Sequence, residues 1–255
     1  VLRIRPLDYG EPGPVVLLVQ TNISSSIKTR WTPEAQLEDT VRFARITLDG
    51  LEHLRKNGIE PSLAVWPETM LPGPGLEIEA TNEFRTGGWF PGDSFRELTQ
   101  TLRDRGGVPL LIGSGSFEGL SAPADGEMSW DKRFNSVYLV DEALPDARYD
   151  KVHLTPFGER MPLISDLPWL EQKLLDFGAN GMAFDLDEAT DITRFLFAYE
   201  VEGEEETISL GTPICFEDTL PWVCRDLVWE DGVKVGLVLV NVSNDGWFGS
   251  SDAAR

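Results

Sequence analysis

Short aliphatic and β-branched runs recur along the chain, each separated from the next by a longer amphipathic or turn-rich stretch. The runs at 15–23 (VVLLVQTNI), 62–66 (SLAVW), 108–113 (VPLLIG), 134–140 (FNSVYLV), 194–201 (RFLFAYEV), 207–214 (TISLGTPI) and 236–243 (GLVLVNVS) have the length and composition of strands. Several are almost continuously apolar, the pattern of strands covered on both faces. Between the first two lies a helix predicted from Pro33 to Asn57, with Thr32 as N-cap, proline at the first helical position and Gly58 as the stop. Leu37, Val41, Ala44, Leu48, Leu51 and Leu54 fall on one face and predict its buried stripe. A second helix follows Ser94, whose spacing to Glu97 fits a capping box, and stops at Gly106-Gly107; a third is predicted at about 218–230. Strand, helix and strand in alternation imply a layered α/β fold.

In open α/β sheets, ligand sites gather at the carboxyl ends of strands. SLAVW is followed by Glu68, a short strand near 147–150 by Lys151, TISLGTPI by Cys215, and GLVLVNVS by NDGWFG. Taken singly, each has a plain explanation: a solvated turn carboxylate, a surface charge, a cysteine packed as a small hydrophobe. Together they place three reactive side chains at equivalent strand ends. A thiol beside a helix start and a cation can be held as thiolate. The glycine-rich segment GSGSFEG at 113–119 would need a following helix to cradle phosphate, and the Gly and Pro content up to Gly126 opposes one, so it reads as a turn after a strand.

Composition narrows the picture. The chain has 255 residues, 41% hydrophobic and 25% charged, enough to bury one large core. A formal charge of -21 repels phosphate backbones and anionic headgroups, which argues against nucleic-acid binding and polybasic membrane docking. Two cysteines and two histidines do not form a spaced metal-binding cluster, so no metal is expected. A disulfide between Cys215 and Cys224 is opposed by their place in one strand-to-helix segment, where the side chains point apart. No run approaches the ~18 apolar residues of a membrane span. The ends, at Val1 and at SSDAAR, read as those of an excised domain and not of a whole gene product.

Glu68 in WPET, Lys151 in YDKVHLTPFGERMP and Cys215 in PICFED together resemble the Glu-Lys-Cys set of the nitrilase (carbon–nitrogen hydrolase) superfamily. The longer matches, KVHLTPFGERMPL and NVSNDGWFGSSDAAR, resemble its apolipoprotein N-acyltransferase branch. The resemblance covers nearly the whole chain from about Val15. It implies a single nitrilase-like α/β domain over 1–255, a four-layer α-β-β-α sandwich truncated at its C-terminal end. It also implies Cys215 as nucleophile, Glu68 as base, and Lys151 as the cation that favours the thiolate and steadies an oxyanion. By position, Glu159 corresponds to a second essential glutamate, with loop ordering as its alternative. Glu217 corresponds to the acidic residue two after the nucleophile, with a first-turn helix-dipole carboxylate as its alternative. Phe216, Trp247 and Phe248 are candidate lipid contacts, as are Trp89, Phe90 and Trp169.

The implied reaction moves an acyl chain from a phospholipid through a cysteine thioester to the amine of a diacylglyceryl-cysteine apolipoprotein. No cofactor is implied. The partners would be the phospholipid donor and the apolipoprotein acceptor, at the periplasmic face of a bacterial inner membrane reached through helices absent from this chain. The alternatives are a soluble amidase of the same superfamily and a degenerate binding domain; the intact Glu68, Lys151 and Cys215 count against the latter.

Overall fold

The computed structural model describes residues 13–21, 32–145, 147–156, 159, 186–201, 203–236 and 238–244. In chain order the elements are β1 (Val16–Leu18), α1 (Pro33–Lys56), β2 (Leu63–Val65), α2 (Ile78–Gly87), α3 (Ser94–Gly106), β3 (Leu110–Glu118), β4 (Lys132–Val140), β5 (Ala147–Asp150), β6 (Phe195–Val201) and β7 (Glu204–Gly211). A 3-10 turn (Cys215–Thr219), α4 (Pro221–Val228), a small hairpin of β8 (Trp229–Glu230) and β9 (Val233–Lys234), and β10 (Val238–Leu239) complete them. Trp169, Trp247 and Phe248 lie outside the described residues.

Two sheets face each other. The first has the order β1-β2-β3-β4-β5, parallel across β1-β2-β3 and antiparallel from β3 onward. The parallel pairs need crossovers, supplied by α1 and by α2 with α3. The second sheet runs β10-β7-β6. Strand alternation builds two cores from one sheet. Ala64, Leu110, Ile112, Tyr138 and Val140 meet Phe43, Leu51, Phe95 and Leu102 of α1 and α3. Leu63, Val65, Leu111, Val137, Leu139 and Tyr149 face the other way, onto Phe195, Phe197, Ile208 and Leu210 of the second sheet. On the outer face of that sheet, α4 lies so close that a Cβ on Gly211 would stand 2.9 Å from Leu227 Cβ. The layers are therefore the expected α-β-β-α sandwich.

Several boundaries differ from the sequence reading. Helix α1 begins with the Thr32 cap, which accepts from Ala35 N at 3.3 Å. Of its predicted stripe, Leu51 is buried and Ala44 and Leu48 pack against the core, but Thr40, Phe43 and Thr47 are buried beside them and Leu37 is exposed. Buried threonines suit this face because each hydroxyl donates to the carbonyl four residues back, and Thr47 also accepts from the buried indole Nε1 of Trp66 at 2.9 Å. At α3 the N-cap position falls on Asp93, without a side-chain cap, so Ser94 and Glu97 do not form a capping box. Helix α2 was not anticipated. The expected turn at 113–119 is instead the second half of β3, and the helix expected at 218–230 is shortened to α4 by Pro221 and ended by β8.

Candidate active site

Glu68 is set by the turn that leaves β2. It is 5% exposed, and its Oε1 accepts from Asn135 Nδ2 at 2.8 Å and lies 3.7 Å from Lys151 Nζ. Its Oε2 is buried and accepts no hydrogen bond from another side chain or backbone N–H among the described residues, and the Glu68 carboxylate as a whole acts on the Cys215 thiol by charge and hydrogen bonding.

Lys151 directly follows β5 and is fully buried. A buried ammonium is costly unless paired and hydrogen-bonded. Here Nζ donates to Glu159 Oε2 at 2.6 Å and to Thr155 Oγ1 at 3.3 Å. Burial alone would push the lysine pKa down; the charges of Glu68 and Glu159 outweigh it, so the group is held protonated. Burial likewise opposes ionisation of Glu159, but Lys151, Thr155 N (2.8 Å) and Asn135 Nδ2 (2.9 Å) hold its carboxyl below the ordinary range. Asn135 thus uses both amide hydrogens to bridge the two carboxylates. Its place follows from β4–β5 register: Asn135 and Lys151 share one face, and on the opposite face Asp150 Oδ1 accepts from Ser136 Oγ at 2.6 Å, locking the pairing of Ser136 with Asp150.

Cys215 opens the 3-10 turn after β7 with φ of 52°, the left-handed region rarely taken by a residue bearing a Cβ. The turn is over-determined from both sides. Cys215 N donates to Val242 O at 2.9 Å and Val242 N to Pro213 O at 3.0 Å. Glu217, fully buried, accepts from Ile214 N (2.8 Å), Val152 N (2.8 Å), His153 N (3.0 Å) and Tyr149 OH (3.0 Å). Those four bonds fill the carboxylate's acceptor capacity and tie the lysine loop to the cysteine turn. Glu217 is thus a first-turn carboxylate of this short 3-10 helix, bonded back to its cap N–H at Ile214, while its other three donors come from Tyr149, Val152 and His153. Phe216 follows on the same turn, half-buried.

Burial first, then the Glu68 charge, push the Cys215 thiol up to about 12, against the opposing pull of Lys151 and a hydrogen bond with Ser243. Lys151 favours the thiolate but is outweighed, so the resting group is a neutral thiol and a base is required at the moment of attack. Cys224 lies on α4 with its Sγ turned to the carbonyls of Glu217 and Asp218, and both cysteines are free. Among the described residues no group of three or more His, Cys, Asp or Glu side chains is placed to hold a metal ion. Asn135, Thr155, Tyr149 and Ser243 were not anticipated. Only the position of Ser243, at the end of an apolar run beside the other strand-end residues, carried a signal.

The structure is similar to that of Saccharomyces cerevisiae Nit3, a member of branch 10 of the nitrilase superfamily, with a TM-score of 0.50 and 16% identity, covering 89% of this chain and 63% of that one. Sheet order and layers define a nitrilase-like fold. No protein-family model matches the chain. Its curated homologues are named apolipoprotein N-acyltransferase. That of Geobacter metallireducens is 29% identical over 253 residues, 98% of this chain and 39% of that protein. Apolipoprotein N-acyltransferase 2 of Treponema denticola is 30% identical over 195 residues, 74% of this chain and 30% of that protein. The chain spans about two fifths of the length of most curated relatives it matches. Among the described residues, no helix is long and apolar enough to cross a membrane.

Proposed function

We propose that this chain is the catalytic domain of an apolipoprotein N-acyltransferase and carries the acyl group on Cys215. The observation that supports this most is the buried cluster in which one thiol, one unpartnered carboxylate oxygen and one ammonium converge at three strand ends. Glu68 Oε2 takes the thiol proton as Sγ attacks the ester carbonyl of a phospholipid. Lys151, already holding Glu159 and Thr155, turns its remaining N–H to the developing oxyanion, together with the backbone N–H of Phe216. Collapse expels the lysophospholipid alkoxide, which takes the proton from Glu68, and leaves a thioester. The amine of a diacylglyceryl-cysteine peptide then attacks that thioester; Glu68 receives its proton, and the Cys215 sulfur leaves and is reprotonated.

Glu159 acts on Lys151 and Glu217 on the turn geometry, so both are positioning residues in this scheme. Phe216, Trp247 and Phe248 are proposed acyl-chain contacts. In this reading the domain works at a membrane surface, on the periplasmic side, joined to membrane helices; the names of its curated relatives support it. The test is transfer of a labelled acyl chain from phospholipid vesicles to a diacylglyceryl peptide, with this chain alone and with the same chain joined to such helices. Transfer is expected only in the joined form, because a charge of -21 opposes adsorption to anionic lipid. Ammonia release from simple amides by the chain alone, with no transfer in either form, would assign it to amide hydrolysis instead.

A further inference from the structure

The glycine-rich segment of β3 lies beneath the turn that carries Glu68. Met70 N and Leu71 N both donate to Gly113 O, at 3.0 and 3.1 Å, and Ser114 Oγ donates to Leu71 O at 2.8 Å. The backbone therefore passes directly over Gly113. A Cβ built there would stand 2.4 Å from Pro67 O, 2.7 Å from Glu68 Cα and 2.9 Å from Thr69 N. All three are backbone atoms, so no side chain can swing aside to relieve the contact. Gly113 has no positive φ, so an alanine is excluded at this position by that contact and not by its own backbone conformation. The turn above it is strained: Thr69, a β-branched residue, has φ of 49°. Two residues along the same face of the strand, a Cβ on Gly115 would meet nothing nearer than 3.8 Å.

We propose that Gly113 is a positioning residue for the base: it lets the 67–69 backbone sit down on β3 at the one height that brings the Glu68 carboxylate to Cys215 while its Oε1 stays bonded to Asn135. The inference rests on the base role proposed for Glu68. Gly113 touches no substrate. It acts through the carboxylate, and a methyl group there lifts that carboxylate away from the thiol it must deprotonate.

The test is a double-mutant cycle read as single-turnover acylation of Cys215 by a short p-nitrophenyl ester, followed across pH. Gly113→Ala is expected to slow acylation at neutral pH by about 100-fold, the scale of a misplaced general base, and to shift the rate toward alkaline pH where the thiol ionises unaided. Glu68→Gln should do the same. The double variant should be no slower than the slower single one, because both changes remove one function. Gly115→Ala should stay within about twofold of the parent, a change expected of ordinary van der Waals contact. Ser114→Ala, which removes only the tether to Leu71 O, gives a gentler version that folds if Gly113→Ala does not; about a tenfold loss is expected, again absent in the Glu68→Gln background. Parent-like acylation by Glu68→Gln would remove the base assignment itself. Loss in Glu68→Gln with parent-like rates in Gly113→Ala and Ser114→Ala, or losses that multiply with Glu68→Gln, would overturn the positioning role.

Discussion

Replacing Glu217 by glutamine isolates the contribution of the carboxylate that joins the lysine loop to the cysteine turn. Its Oε1 receives Val152 N and His153 N, and its Oε2 receives Ile214 N and Tyr149 OH. A glutamine oxygen can keep the first pair. The amide nitrogen then faces Ile214 N–H and Tyr149 OH. The hydroxyl can rotate to accept, but the backbone N–H has no alternative and is left without an acceptor in a buried site. One orphaned donor costs about 1–3 kcal/mol, and the other bonds lose their charge assistance. Burial, the largest influence on Glu217, raises its pKa against its four donors, so glutamine also relieves part of a desolvation penalty. The net expectation is a loss of about 2–3 kcal/mol, which for a chain of this size lowers the melting midpoint by about 5–10 °C. Tryptophan fluorescence melts measure the midpoint, and iodoacetamide mapping measures Cys215 reactivity, which should fall with it as the turn loosens. An unchanged midpoint and unchanged labelling would show that Glu217 does not hold the two loops together.

Lys151→Arg keeps the charge but not the shape: the planar fork cannot occupy a fully enclosed site built for a compact ammonium 2.6 Å from Glu159, so Cys215 acylation should fall by about 100-fold or more. Parent-like acylation, read by intact mass, would make the lysine a bystander. Glu159 has a lowered pKa in the fold, so it binds fewer protons folded than unfolded, and its stabilisation is present above the ordinary carboxyl value of 4.5 and is lost as pH falls through the folded value. Urea midpoints taken from pH 6 downward should therefore drop less steeply in Glu159→Gln than in the parent (the pH window is set by that ordinary value of about 4.5). Parallel curves would remove Glu159 from the acid limb.

The three strand-end residues were legible because strand length and apolar runs mark where each strand stops, and reactive side chains follow those stops. Helix α1 was legible from its cap, its glycine and, through Ala44, Leu48 and Leu51, part of its inward face, but Thr40 and Thr47 were not, since they are apolar-compatible only once their hydroxyls are bonded along the helix and, for Thr47, to Trp66. The glycines of β3 read as a turn because the reason for Gly113 is a backbone crossing from residues 67–69, a tertiary fact with no local trace. Asn135 escaped notice for the same reason: its role depends on the register of three strands. Lys151 pulls the Cys215 thiol toward ionisation as the sequence suggested, but the burial that outweighs this pull is invisible in the sequence.

Acyl transfer through Cys215 is tested most directly by trapping the intermediate. The protein is incubated with a short activated acyl ester, digested and mapped by mass spectrometry, and a second portion is chased with a diacylglyceryl-cysteine peptide in detergent. The expected result is one acyl group on Cys215, none on Cys224, and its discharge onto the peptide amine in the chase. An adduct confined to Cys224, or a Cys215 adduct that water removes while the peptide stays unacylated, would contradict it.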